Sequence, residues 1–154
     1  MTHKFGVCLY QPDMPQNLGV IIRMAACLEF PLHIIKPLSF SMTDKRFKGA
    51  VMDYIEHCEI IEHDNWSKFE SYCILNEKRM ILATTKTTNS FYDYEFNNSD
   101  LIIFGKETAG VPQEIHEKVI EKITIPISEK TRSLNLASSV AMITTQIIFK
   151  LKVV

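Results

Sequence analysis

Two hydrophobic rhythms alternate along the chain. Short apolar runs at residues 5–10, 32–35, 59–62, 79–84, 100–105 and 122–126 have the length and β-branched content of buried strands. Between and after them, apolar positions recur every three or four residues, which predicts helices over 16–28, 43–51, 65–75, 112–120 and 135–151. Strand and helix in regular alternation imply an α/β fold with a mostly parallel sheet. In such folds ligands gather outside the carboxyl ends of the strands, and both Gly105 and the loop from Pro126 to Asn135 fall at strand exits.

The last helix shows an apolar stripe at Leu136, Val140, Ile143, Ile147 and Leu151, beside the small residues Ala137, Ser138, Ser139 and Ala141. This face suits either the core or a seam with a second copy. No repeat, linker or low-complexity stretch interrupts the pattern, so residues 1–154 read as one domain.

Composition changes this picture little. Apolar residues make up 46% and charged residues 23%, ordinary for a globular domain, and no apolar run reaches the ~18 residues needed to span a bilayer. The first residues run directly into a strand without a signal-peptide layout, and Cys8, Cys27, Cys58 and Cys73 form no CxxC pair. Free thiols in a cytoplasmic protein are expected, without membrane or metal. A metal site from His57, Cys58, His63 and Asp64 would require convergence from an alternating strand. The formal charge of −1 supplies no global attraction to nucleic acid, so any such contact must be local.

Three clusters carry candidate chemistry. Pro12 and Pro15 stiffen the turn after the first strand, Asn17 or Gly19 can open the helix, and Arg23 follows Gly19 by one turn. Its guanidinium suits a phosphate or, more simply, a surface carboxylate. In Gly105-Lys106-Glu107-Thr108-Ala109-Gly110, the glycines permit close approach to a ligand or positive φ. The segment is not a P-loop, because position 100 is Asp and the hydroxyl residue is misplaced, and GxGxxG is absent as well. The third cluster, Ile125 to Ser139, crowds Arg132, Ser133 and Asn135 between a buried strand and an apolar helix. An N-cap explains one of the three but not all. Lys36 and the run Asp44-Lys45-Arg46-Phe47-Lys48 form a basic group that reads as a solvated face or a phosphate contact.

Taken in order, these segments resemble the SPOUT superfamily of RNA methyltransferases, within it the small bacterial subgroup acting on the tRNA wobble nucleotide. The likeness runs through Leu9-Tyr10, Asn17-x-Gly19-x-x-x-Arg23, Leu32-His33-Ile34-Ile35, Asp44-Lys45-Arg46, Asp53-Tyr54 and Thr84-Thr85-Lys86. It continues through Phe104-Gly105-x-Glu107-Thr108-x-Gly110 and Arg132-Ser133-x-Asn135-Leu136. The resemblance implies a C-terminal trefoil knot and a homodimer joined through the first and last helices. It implies S-adenosylmethionine held by loops containing Ala83, Gly105, Gly110, Ile125, Ile127, Ser133, Leu134 and Ala137. It also implies 2′-O-methylation of the wobble ribose by a site of Asn17, Arg23, Glu107, Ser133 and Asn135. With a pKa above ~12, Arg23 is suited to phosphate grip rather than to proton abstraction. Lys36, Lys45, Arg46, Lys48, Lys86 and Arg132 would hold the tRNA. Lys106 replaces a proline or asparagine, and Thr145 a tyrosine, of some relatives. A methyltransferase for another RNA and a non-catalytic RNA-binding module are the competing readings.

Overall fold

Six strands, β1 (Gly6–Tyr10), β2 (Leu32–Ile35), β3 (Ile60–His63), β4 (Arg79–Ala83), β5 (Asp100–Phe104) and β6 (Glu121–Ile123), form one sheet in the order β3-β2-β1-β5-β4-β6. Every pairing is parallel. The structure, a computed structural model, describes residues 4–152. Helices α1 (Pro15–Leu28), α2 (Lys45–Val51), α3 (Trp66–Leu75), α4 (Gln113–Lys118) and α5 (Leu136–Leu151) cover both faces.

The side-chain period of two sorts the strands between two cores. Val7, Leu9, Leu32, Ile34, Ile81, Ile102 and Phe104 pack with Leu18, Ile21 and Ile22 of α1 and Val140, Ile143 and Ile147 of α5. The intervening residues Cys8, Tyr10, Ile35, Leu82, Leu101 and Ile103 meet Phe69 and Cys73 of α3 and Ile115 of α4. Burial on both faces explains why β1 and residues 101–104 of β5 read as continuous apolar runs.

The predicted elements all form, with shifted ends. Helix α1 starts at Pro15, whose missing N–H belongs among the orphan donors of a first turn. Gly19 therefore does not open the helix. It lies inside it, where a Cβ would come within 2.4 Å of Ala50 Cβ, so its smallness lets α1 lie close on α2. Strand β6 stops at Ile123, and Thr124 pairs only with Ser90. The α5 stripe also resolves: Val140, Ile143 and Ile147 are core residues. Those three side chains are inside the molecule and so are not available to a seam. The face of α5 left outside carries Ser138, Met142, Thr145 and Phe149.

Residues 84–99 join two adjacent parallel strands without a helix, and hydrogen bonds hold this connection. Phe91 N–H donates to Thr124 O at 2.9 Å and Thr124 N–H to Asn89 O at 2.8 Å. From α5, Gln146 and Lys150 donate to the carbonyls of Tyr92 and Tyr94 at 3.2 and 2.9 Å. At its base the fully buried Asp100 accepts a fork from Arg79 at 2.7 and 2.9 Å.

Under α3, His33 Nδ1 lies 2.9 Å from His63 Nε2 with the rings stacked. Burial, then the neighbouring His63, pushes the His33 pKa down to about 3, and burial also lowers that of His63. Both rings are thus neutral in the fold, whereas unfolded histidines take up protons near pH ~6.5. Stability from this pair is therefore complete above about pH 6.5 and is lost as the pH falls toward 3. Unfolding free energies from urea titrations should be flat near neutral pH and decline below about 6.5, by on the order of a few kcal/mol. A decline beginning only in the carboxylate range would refute this.

Candidate active site

Where β4, β5 and β6 end, the chain encloses a cavity of about 630 Å³, within the roughly 300–1,000 Å³ typical of small-molecule sites. Ala83 and Gly105 mark the exits of β4 and β5 at its floor, and Ile125 and Ile127 continue from β6 as an apolar wall. Arg132, Ser133, Leu134 and Asn135 form the approach to α5, and Asn17 faces in from α1. The cavity sits beside the point where strand order reverses, the expected place for a ligand in an open parallel sheet.

The loop after β5 is a tight turn. Gly110 N–H donates to Lys106 O at 2.8 Å, Lys106 N–H returns a bond to Gly110 O at 3.3 Å, and Gly110 takes φ +66°. A Cβ on Gly105 would lie 2.5 Å from Gly110 Cα and 2.6 Å from its carbonyl carbon. Gly105 is thus required first by the backbone of its own loop, and only through that by any ligand.

A chain of polar contacts ties the three sequence clusters together. Asn135 Oδ1 caps α5 by accepting from Ser138 N–H at 3.1 Å, while its Nδ2 donates to Asn17 Oδ1 at 3.1 Å. Asn17 Nδ2 donates in turn to Glu107 Oε1 at 3.4 Å. Glu107 Oε2 accepts from Asp13 N–H at 3.0 Å, and the Thr108 hydroxyl donates to Asp13 Oδ2. Burial, then the hydrogen bond with Asp13, raises the Glu107 pKa above the usual carboxylate range. The contact with Glu107 foremost, aided by Thr108 and Lys106, holds Asp13 below that range. On the far wall, His116 Nε2 lies 3.4 Å from Thr84 Oγ1, and slight burial followed by Lys122 and Lys86 keeps its imidazole neutral.

Most of the sequence-derived candidates meet here. Asn17, Glu107, Ser133 and Asn135 line the cavity, as do Ala83, Gly105, Gly110, Ile125, Ile127 and Leu134. Lys86 and Arg132 also reach it. Ala137 lies buried in the adjoining core, and Arg23 stands outside, exposed on α1 with its guanidinium 4.8 Å from the Tyr54 ring centre. Of the other cations, Lys36 pairs with Asp64 at 3.3 Å and Glu62 at 3.7 Å. Arg46 forks onto Asp44, and Lys45 and Lys48 are exposed on α2, away from the cavity. Asp13 and His116 were missed, and Lys106, noted in the sequence without a role, also lines the cavity. Asp13's position between Pro12 and Pro15 beside a strand exit was the one available signal. Among the described residues, no group of three or more His, Cys, Asp or Glu converges as a metal site, and no helix is long and apolar enough to cross a membrane.

The pattern described as the SpoU rRNA methylase family matches residues 4–145. The chain belongs to this family. Among relatives of this SpoU methylase, a tRNA (cytidine(34)-2'-O)-methyltransferase of Ancylobacter novellus is 39% identical, covering 90% of the chain and 87% of the relative. A solved structure concerned with 2-OH methylation of C/U34 on tRNA superposes with a TM-score of 0.91 at 33% identity, covering 97% of each chain. A SpoU methyltransferase from Streptomyces viridochromogenes in complex with the cofactor AdoMet shares the fold, with a TM-score of 0.88 at 18% identity. That alignment covers 99% of this SpoU methylase and 60% of the other chain.

Proposed function

We propose that this protein transfers a methyl group from S-adenosylmethionine to the 2′-oxygen of the wobble ribose of a tRNA, in the cytoplasm. The observation that carries the reading is the Asn135–Asn17–Glu107 chain on the wall of a strand-exit cavity, in a chain 39% identical to a relative named for this reaction.

The cavity fits such a donor in volume, in its apolar wall of Ile125, Ile127 and Leu134, and in the strand exits at Ala83 and Gly105 that line it. When bound, the donor supplies a methyl group activated on a positively charged sulfur. The protein's own task is placement: Ser133, Asn17 and Asn135 orient the ribose, and Arg23 grips a phosphate and supports developing charge. A guanidinium does not take the hydroxyl proton.

The proposal includes a homodimer. Gln16, Val20, Arg23 and Cys27 form an exposed stripe on α1, and Ser138, Met142, Thr145 and Phe149 form one on α5. Packing both stripes against a second copy would cover Val20, Met142 and Phe149. Arg23 would then stand in the seam, facing the partner, which accounts for its place outside the cavity of its own chain. The trefoil knot belongs to the same proposal, supported by the hydrogen bonds between residues 84–99, the β6 exit and α5.

The deciding experiment incubates the purified protein with S-adenosylmethionine and unmethylated tRNA, followed by mass spectrometry of the wobble nucleoside. A 2′-O-methyl group at that position is expected. Methylation of ribosomal RNA alone, or none in any RNA, would refute the assignment. RNA affinity supplies a second test. Neutralising Lys45, Arg46 and Lys48 together should weaken tRNA binding and flatten its salt dependence by about 0.7–0.9 log units per lost phosphate contact. Arg46 is already engaged by Asp44, so Lys45 and Lys48 should carry most of the change. Parallel salt slopes for wild type and variant would show that α2 is only a solvated face.

A further inference from the structure

Asp13 Oδ1 is buried, and no N–H or O–H group among the described residues donates to it. The orientation of its surroundings follows from fixed backbone donors. Ser138 N–H requires Asn135 to present Oδ1 to it, so Asn135 Nδ2 faces Asn17 Oδ1 and Asn17 Nδ2 faces Glu107. Glu107 therefore accepts on Oε1 from Asn17 and on Oε2 from Asp13 N–H. The Asp13 N–H and the Thr108 hydroxyl are committed to Glu107 Oε2 and Asp13 Oδ2, so neither serves Asp13 Oδ1. The Glu107 carboxyl, in contact with the Asp13 side chain, can donate to it once protonated.

We infer that Asp13 is a positioning residue of the methyl-transfer site: its carboxylate holds a proton on Glu107, and this shared proton locks the loop after β5 to α1 and, through the two asparagines, to the start of α5. Two adjacent carboxylates cannot both ionise cheaply, so the pair keeps a single negative charge. The opposite displacements of the two groups, Glu107 upward and Asp13 downward, agree with that division. The other charged and titratable groups facing the pair are few. Lys106 on the same loop favours an ionised Asp13, while Lys86, His116 and Arg132 line the same cavity. A protonated Glu107 cannot also serve as the base for the ribose hydroxyl. Its part is to hold Asn17 in place.

This inference rests on reading the cavity as the donor pocket, and two measurements separate the parts. Carbon-13 NMR titration of the side-chain carboxyls in the ligand-free protein, with Glu107 assigned by loss of its signal in Glu107→Gln, should show Glu107 keeping its proton above the ordinary glutamate value of about 4.3. In Asp13→Asn the new amide donates to Glu107, whose proton affinity should fall by about tenfold or more. Calorimetry with S-adenosylmethionine should show wild-type affinity declining as the pH rises through the Glu107 titration, and that limb should vanish in Asp13→Asn. A wild-type Glu107 with ordinary titration overturns the inference even if Asp13→Asn does not fold, as does a Glu107 titration unmoved by Asp13→Asn. If the titrations behave as expected but S-adenosylmethionine binds at no pH, the cofactor reading falls while the shared proton stands.

Discussion

Gly105→Val sharply weakens S-adenosylmethionine binding while leaving the parallel sheet intact. Even the first added carbon meets Gly110 Cα at 2.5 Å and Val111 N at 2.8 Å. These are backbone atoms of a turn closed by two hydrogen bonds, so no side chain can rotate aside to make room. The turn must open, moving Gly110 from the cavity wall and dragging Glu107 from Asn17. Overpacking of this kind costs about 1–3 kcal/mol, roughly 5- to 150-fold in affinity when the distorted element is the binding surface itself. The loop lies beyond the end of β5, so strand pairing should survive. Gly49→Ala is the control: a Cβ there meets nothing within 4 Å, and donor affinity should not change. Unchanged affinity in Gly105→Val, measured by calorimetry, would remove the loop from the donor site.

Arg23→Ala should abolish turnover but spare donor binding, because the side chain stands outside the cavity and packs over Tyr54. Loss of a charged contact in the transition state is worth on the order of 2–4 kcal/mol, roughly 30- to 1,000-fold in rate. The dimer proposal adds a sharper outcome. If Arg23 serves the partner's site, mixing Arg23→Ala with Gly105→Val restores activity, since each mixed dimer contains one intact donor pocket supplied with one intact arginine. If Arg23 serves its own chain, mixed dimers stay as inactive as the parents. Turnover within a few-fold of wild type in Arg23→Ala alone would make the residue structural.

The fold was largely legible in one dimension because its signals are local. Burial on both faces makes β1 and residues 101–104 of β5 unbroken apolar runs, and the 3.6-residue period marks α1 and α5. Pro15 and Asn135 announce helix starts through donors that only the first turn leaves unpaired. Strand ends were less visible, since β6 stops where its partner strand does rather than where its apolar residues do. The site was legible as three clusters but not as a mechanism. Asn135 could be read as a cap, yet its second bond runs to Asn17, 118 residues away, and Glu107 meets Asp13 across 94. Neither spacing leaves a periodic trace. Nor could the sequence say which cations face the cavity: Lys86 and Arg132 do, whereas Lys36 and Arg46 are engaged by local carboxylates. Side-chain period and capping chemistry act within a few residues and so are written along the chain. Hydrogen-bond partners depend on which loops the sheet order brings together, and only the tertiary structure decided that.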